Sequence, residues 1–121
     1  MGILRGTSDT ITVNATAKIT DTEKAGHIHT LKFKATFKAR TLDDATAVIA
    51  AVNDPENTEV DAPSVVRDDL ISWSGLDGEG GPVEFNNENL TIALDHPEYR
   101  LALFNAWGEA QLRRVLANSK N

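Results

Sequence analysis

The sequence predicts an α+β fold: an N-terminal antiparallel β-hairpin packed on about four α-helices. Three observations carry this. Residues 10–40 alternate apolar and polar side chains with period two. After Thr41 the apolar spacing changes to three and four. Capping residues and prolines then divide the remainder into helix-sized pieces.

In "ITVNATAKI", Ile11, Val13, Ala15, Ala17 and Ile19 share one face, with Thr12, Asn14, Thr16 and Lys18 on the other. After a polar turn, Leu31, Phe33, Ala35, Phe37 and Ala39 alternate with Lys32, Lys34, Thr36, Lys38 and Arg40. The two runs form a hairpin whose outer side is a basic stripe of Lys32, Lys34, Lys38 and Arg40. Two readings apply to the stripe. It is a solvated face that guards the sheet against unwanted pairing, or it is a self-association surface.

Thr41 caps a first helix in "TLDDATAVIAAVNDP", with Leu42, Ala45, Val48, Ile49 and Val52 as its stripe and a stop at Asn53-Asp54 before Pro55. An acidic loop follows. A second helix is expected over about Ser64–Ser72, with Val65, Val66, Leu70 and Trp73 at helical spacing. Asn86 caps a third helix, with Phe85 placed to staple against Leu90. Pro97 closes the third helix and opens the fourth. The fourth carries Leu101, Leu103, Phe104, Ala106, Trp107, Ala110, Leu112, Val115 and Leu116 on more than one stripe. Such a surface suggests a partner as well as a core, and Leu103, Trp107, Ala110 and Leu112 are the candidate contacts. The competing reading is that Trp107 fills the core. The expected organisation is one domain, 1–121, with flexible ends at 1–9 and 118–121, the hairpin at 10–40 and the helical part at 41–117.

The 121 residues carry a net charge of −6 in blocks: +4 over residues 1–40, −13 over 41–99 and +3 over 100–121. The overall sign disfavours nucleic acid. The blocks neutralise each other within one copy, or they join the basic face of one copy to the acidic face of the next. No run is apolar enough to span a bilayer and the first residues lack a secretory segment, so a soluble intracellular protein is expected. With no cysteine, disulfides, thiolate metal sites and thiol nucleophiles are excluded.

The glycine-rich stretch "GLDGEGGPVEF" fits neither ion loop. A calcium loop counted from Asp77 places Gly81 at the fifth position and Pro82 at the sixth, where an oxygen ligand and a glycine are needed. A phosphate loop would not carry carboxylates without a lysine. A turn is what remains, with glycines free to take positive φ. His27 and His29 lie near the hairpin turn without a third ligand close in sequence, His96 being far along the chain. Asp43-Asp44 and Asp68-Asp69 read as solvated neighbours on helices. No serine lies in a nucleophile elbow. The expectation is a non-enzymatic binding protein with no metal and no cofactor.

Residues 70–121 also carry a resemblance. The order Leu70-Ile71-Ser72-Trp73-Ser74-Gly75, Asp77, Gly81-Pro82-Val83-Glu84-Phe85, Asn86-Asn87-Glu88-Asn89-Leu90, a His96-Pro97 break, a long helix and a closing Lys120-Asn121 resembles the tail assembly chaperones of long-tailed bacteriophages. The strand "LKFKATFKAR" and the helix after it are similar to the first half of those proteins. The chain departs from them in having Asn86 where serine is more typical, and in its acidic loop at 53–63. The resemblance implies a protein of the host cytoplasm, not of the mature virion, that binds the tape measure protein and keeps it soluble until tail tube subunits assemble around it. The tail tube protein is a further candidate partner; the charge blocks could order copies into homo-oligomeric rings or coils, and net charge and hydropathy point to neither nucleic acid nor membrane. The competing class is a structural phage component such as a tail terminator or head–tail joining protein, which abundant copies in purified virions would favour.

Overall fold

The computed structural model describes residues 10–20, 26–78 and 80–119, the last seven of these as backbone alone. Of the expected flexible ends at 1–9 and 118–121, residues 1–9 and 120–121 lie outside the described residues, whereas 118 and 119 belong to the last helix, which continues to Ser119.

Strands β1 (Thr10–Thr20) and β2 (Ile28–Lys38) pair antiparallel in unbroken register, from Thr10 opposite Lys38 to Thr20 opposite Ile28. Alternation decides the face each residue takes: Val13, Ala15, Ala17, Phe33, Ala35 and Phe37 are buried, while Thr12, Asn14, Thr16, Lys32, Lys34 and Lys38 are exposed. On the outer face the hydroxyls of Thr12 and Thr36, directly opposite each other, lie 2.8 Å apart.

Helix α1 (Leu42–Asn53) starts where expected, with the Thr41 hydroxyl accepting from the Asp44 amide at 3.2 Å. Two side chains organise the acidic loop after it: Asp54, which accepts from the Glu56 amide at 3.0 Å, and Asn57. Asn57 donates to the carbonyls of Ala51 and Val60 at 2.8 and 2.7 Å, and its own oxygen accepts from the Glu59 amide at 3.1 Å. Helix α2 (Ala62–Asp69) is capped by Asp61, which accepts from the Ser64 amide at 2.9 Å. Hydrogen bonding from Ser64 holds the Asp61 carboxyl below its ordinary value. A depressed folded value means that the cap's contribution is complete above the unfolded carboxylate value, about 3.9, and is lost as pH falls through the folded one. The protection factors of the Ser64 and Val65 amides are therefore expected to fall below about pH 3.9 before those of the sheet do.

The expected helix over Ser64–Ser72 is corrected. It stops at Asp69, and Leu70–Ser74 form a third strand, β3, against β2. Trp73 stands opposite Ala35, a large side chain over a small one, so strand pairing buries the indole where a helix end was expected. Ser72 faces Thr36 and Leu70 faces Phe37, which leaves Ile71 as the extra residue of a bulge, partly exposed. The sheet order is β1-β2-β3.

The glycine stretch is a turn, as expected. Gly75 has φ 76°, and the two-residue strands β4 (Asp77–Gly78) and β5 (Gly81–Pro82) form a small hairpin. The Trp73 indole N–H donates to the Val83 carbonyl at 2.9 Å, and Phe85 meets the indole edge to face at 4.9 Å. Helix α3 (Asn87–Asp95) is capped by Asn86, which accepts from the Asn89 amide at 2.8 Å. Helix α4 (Pro97–Ser119) crosses the apolar face of the sheet, mostly beneath β1, and also meets α1, α2 and α3.

Candidate functional site

The burial of α4 decides the partner-binding residues inferred from its sequence. Trp107 and Ala110 are 0% exposed and Leu103 is 1% exposed. These three belong to the core, which corrects their reading as client contacts on the folded monomer. The physical reason is that α4 is central, with the sheet on one side and three helices around it, so several apolar stripes are satisfied within one copy. Phe104 completes the packing by stacking on Trp107 at 5.5 Å. Leu112 is different: it is 57% exposed.

Trp107 also has a polar task. Its indole N–H donates to Asp69 Oδ2 at 2.6 Å, and the Arg40 guanidinium grips the same carboxylate through Nε at 2.5 Å and Nη2 at 3.1 Å. Gln111, likewise buried, accepts from the Arg40 backbone N–H at 2.9 Å and donates to the Lys38 carbonyl at 3.0 Å. The hydrogen bond to Asp69 holds the guanidinium above its ordinary value, against the opposing effect of burial. The cluster ties the ends of β2 and α2 to α4, and every polar side chain in it is used for this purpose. Arg40 is thereby withdrawn from the basic stripe, which corrects its place among the self-association residues.

Lys32, Lys34 and Lys38 keep the outward positions expected of them, and all three are exposed. Lys18 on β1 lies on the same face, opposite Thr30. Among the described residues no carboxylate forms an ion pair with any of these four lysines. This face of the sheet carries lysine, threonine, serine and asparagine, with a shallow concavity lined by Asn14, Thr16, Lys32, Lys34 and Ser74.

Among the described residues, three of the seven exposed large hydrophobics lie where α1 meets α4. Leu42 and Ile49 are 55% and 42% exposed, and with Leu112 they border a shallow groove of about 100 Å3 whose sides include Ala45, Thr46, Gly108 and Gln111. Leu42 and Ile49 face outward, whereas Ala45 is buried in the core and Val48 and Val52 pack partly buried against it. The sequence places all five on one stripe, and only packing divides that stripe into an inner and an outer part. Gly108 lines the groove, and a Cβ added there meets nothing within 4 Å.

Among the described residues no group of three or more His, Cys, Asp or Glu is arranged to hold a metal, and no helix is long and apolar enough to cross a membrane. Two of the surface features are an apolar groove between two helices and a basic sheet face. Comparison with protein-family models, with curated proteins and with solved structures finds no match to the chain.

Proposed function

We propose that this protein is a holding chaperone for an apolar helical client, and that the client is the tape measure protein of a long-tailed phage. The groove between α1 and α4 carries the reading, because Leu42, Ile49 and Leu112 expose apolar surface along two helices where a third helix would pack on both. The resemblance of residues 70–121 to tail assembly chaperones supplies the client's identity and the host cytoplasm as the place of action. An apolar helix held in this groove is kept from aggregating until tube subunits enclose it.

Gly108→Leu tests the groove with little risk to the fold. A side chain there enters the groove, and replacing a mid-helix glycine improves helix propensity by up to about 1 kcal/mol. The expected result is loss of tape measure binding with the melting temperature kept or raised. Ile49→Asp is expected to act in the same direction. Client binding that survives both substitutions excludes the groove.

The lysine face serves assembly in this reading, by meeting the acidic surface of another copy. A contact between unlike faces propagates into rings or coils. Exposed ion pairs are screened over about 8–10 Å at ordinary ionic strength, so light scattering should report smaller species as salt rises. Monomer at low salt and high concentration would contradict the assembly.

A further inference from the structure

The sheet ends on one side in an unguarded strand. Among the described residues β1 pairs only with β2, so alternate residues along its eleven positions direct their N–H and C=O groups away from the sheet. Natural edge strands are blunted by shortness, proline, bulges or charged side chains. The opposite edge fits that rule, since β3 has five residues and a bulge at Ile71. Strand β1 does not: its register is unbroken, it holds no proline, and Lys18 is its single charge.

A notch of about 440 Å3 lies at this edge. Its wall joins Thr16 and Lys18, on the outer side of β1, to Glu98, Leu101, Ala102 and Asn105 of α4 beneath the sheet. Leu101 is 61% exposed there, and Lys18 and Glu98 put one charge of each sign in the wall. Ile11 and Ile19, the end residues of the apolar row on β1, are only partly buried, whereas Val13, Ala15 and Ala17 between them are at most 2% exposed. Apolar surface is thus left uncovered both along the edge and under it.

The occupant that matches these features is a second β1. We propose that two copies join edge to edge through antiparallel β1 strands, on a twofold axis at Ala15, so that two three-stranded sheets become one continuous sheet. In that register Ile11 stands opposite Ile19 of the second copy, Val13 opposite its Ala17 and Lys18 opposite its Thr12. Apolar meets apolar and no like charges face each other. Leu101 of each copy comes to lie beneath the joined edge. A segment of the same chain does not fit, because the nine residues before Thr10 are too few to turn back and cover eleven positions. A helical client has its backbone groups bonded internally and offers none to a strand edge. The contact is isologous and closes at a dimer, and it needs neither the lysine-face contact nor the client reading.

Because the chain has no cysteine, introduced thiols carry spin labels to single positions of the full chain. Thr12→Cys and Lys18→Cys, labelled in separate preparations, lie equally far from the axis on either side of Ala15. Dipolar distance measurements are therefore expected to give the same separation between copies from both, about 20 Å between backbones at a rise of roughly 3.4 Å per residue. High salt, which disperses a contact made by exposed ion pairs, should leave that distance in place. Asn14→Glu with Thr16→Glu is the second arm, added to each labelled chain. Both positions are exposed and stand opposite Lys34 and Lys32 within one copy, which favours the fold, whereas across the axis each new glutamate faces another. The expected result is an association about tenfold or more weaker, read from the fraction of label at that distance, with the melting temperature kept. Leu101→Asp should act in the same direction. Three outcomes overturn the proposal: wild-type chain that stays monomeric at high concentration, separations that differ between the two labelled positions, or a label distance that survives both the glutamates and Leu101→Asp. Loss of tape measure binding in the glutamate variant with the dimer intact would assign the edge to the client and overturn the proposal as well.

Discussion

Trp107→Ala is expected to cost about 3–5 kcal/mol, the range for deleting a large aromatic from a packed core, and so to remove much of a stability that is typically about 5–15 kcal/mol. Trp107 is fully buried in the middle of α4, stacks on Phe104 and donates to Asp69. Truncation thus opens a cavity and leaves Asp69 short of one donor. Chemical denaturation checks the magnitude. Trp107→Phe refills most of the volume without the N–H, so it should fall between wild type and alanine. A Trp107→Ala chain as stable as wild type would contradict the packing described.

Asp69→Ala is the second large effect, about 3–5 kcal/mol by the precedent of removing one partner from a buried ion pair. The carboxylate is 5% exposed and accepts from both Arg40 and Trp107, so alanine strands a guanidinium and an indole N–H together. Arg40→Leu should cost at least as much, because it leaves the more buried carboxylate, 6% accessible, without its cation, whereas the guanidinium, 25% accessible, can turn toward solvent when Asp69 is removed. The double substitution should cost less than the sum of the two, since the stranded charge is then absent. Strict additivity in denaturation midpoints would show that the two side chains are not coupled.

These two residues also mark where the sequence was legible. The hairpin register could be read because alternation over eleven-residue strands leaves one face for the core, and Phe33 and Phe37 are buried as that register requires. Thr41, Asn86 and Pro97 were readable because caps and prolines act within one turn of helix. Strand β3 was not. Val65, Val66, Leu70 and Trp73 fit helical spacing, and a short apolar run does not distinguish helix from strand. The decision comes from Ala35, which lies 38 positions away in sequence and leaves room for the indole. Asp69 looked like a solvated neighbour of Asp68 for the same reason, since its partners Arg40 and Trp107 are 29 and 38 positions distant.

The partner surface was legible only in outline. A helix with several apolar stripes signals contact on several sides, but the sequence does not say whether those sides meet the same chain or another. For Leu103, Trp107 and Ala110 the sheet and the surrounding helices supply the contact, and Leu112 is left outside. The other exposed positions of the groove, Leu42 and Ile49, came from a stripe that looked wholly inward. Packing against α4 satisfies only part of α1, and the remainder lines the groove proposed for a client.

The central claim is that this surface keeps an apolar helical client in solution, and co-expression tests it most directly. The tape measure protein of the same genome is produced with and without this chain, and its distribution between supernatant and pellet is measured after lysis. A soluble tape measure protein that co-elutes with the chain, and returns to the pellet when the chain carries Gly108→Leu, is the predicted result. A tape measure protein whose solubility is the same in the presence and absence of the chain, with no co-elution, would contradict it.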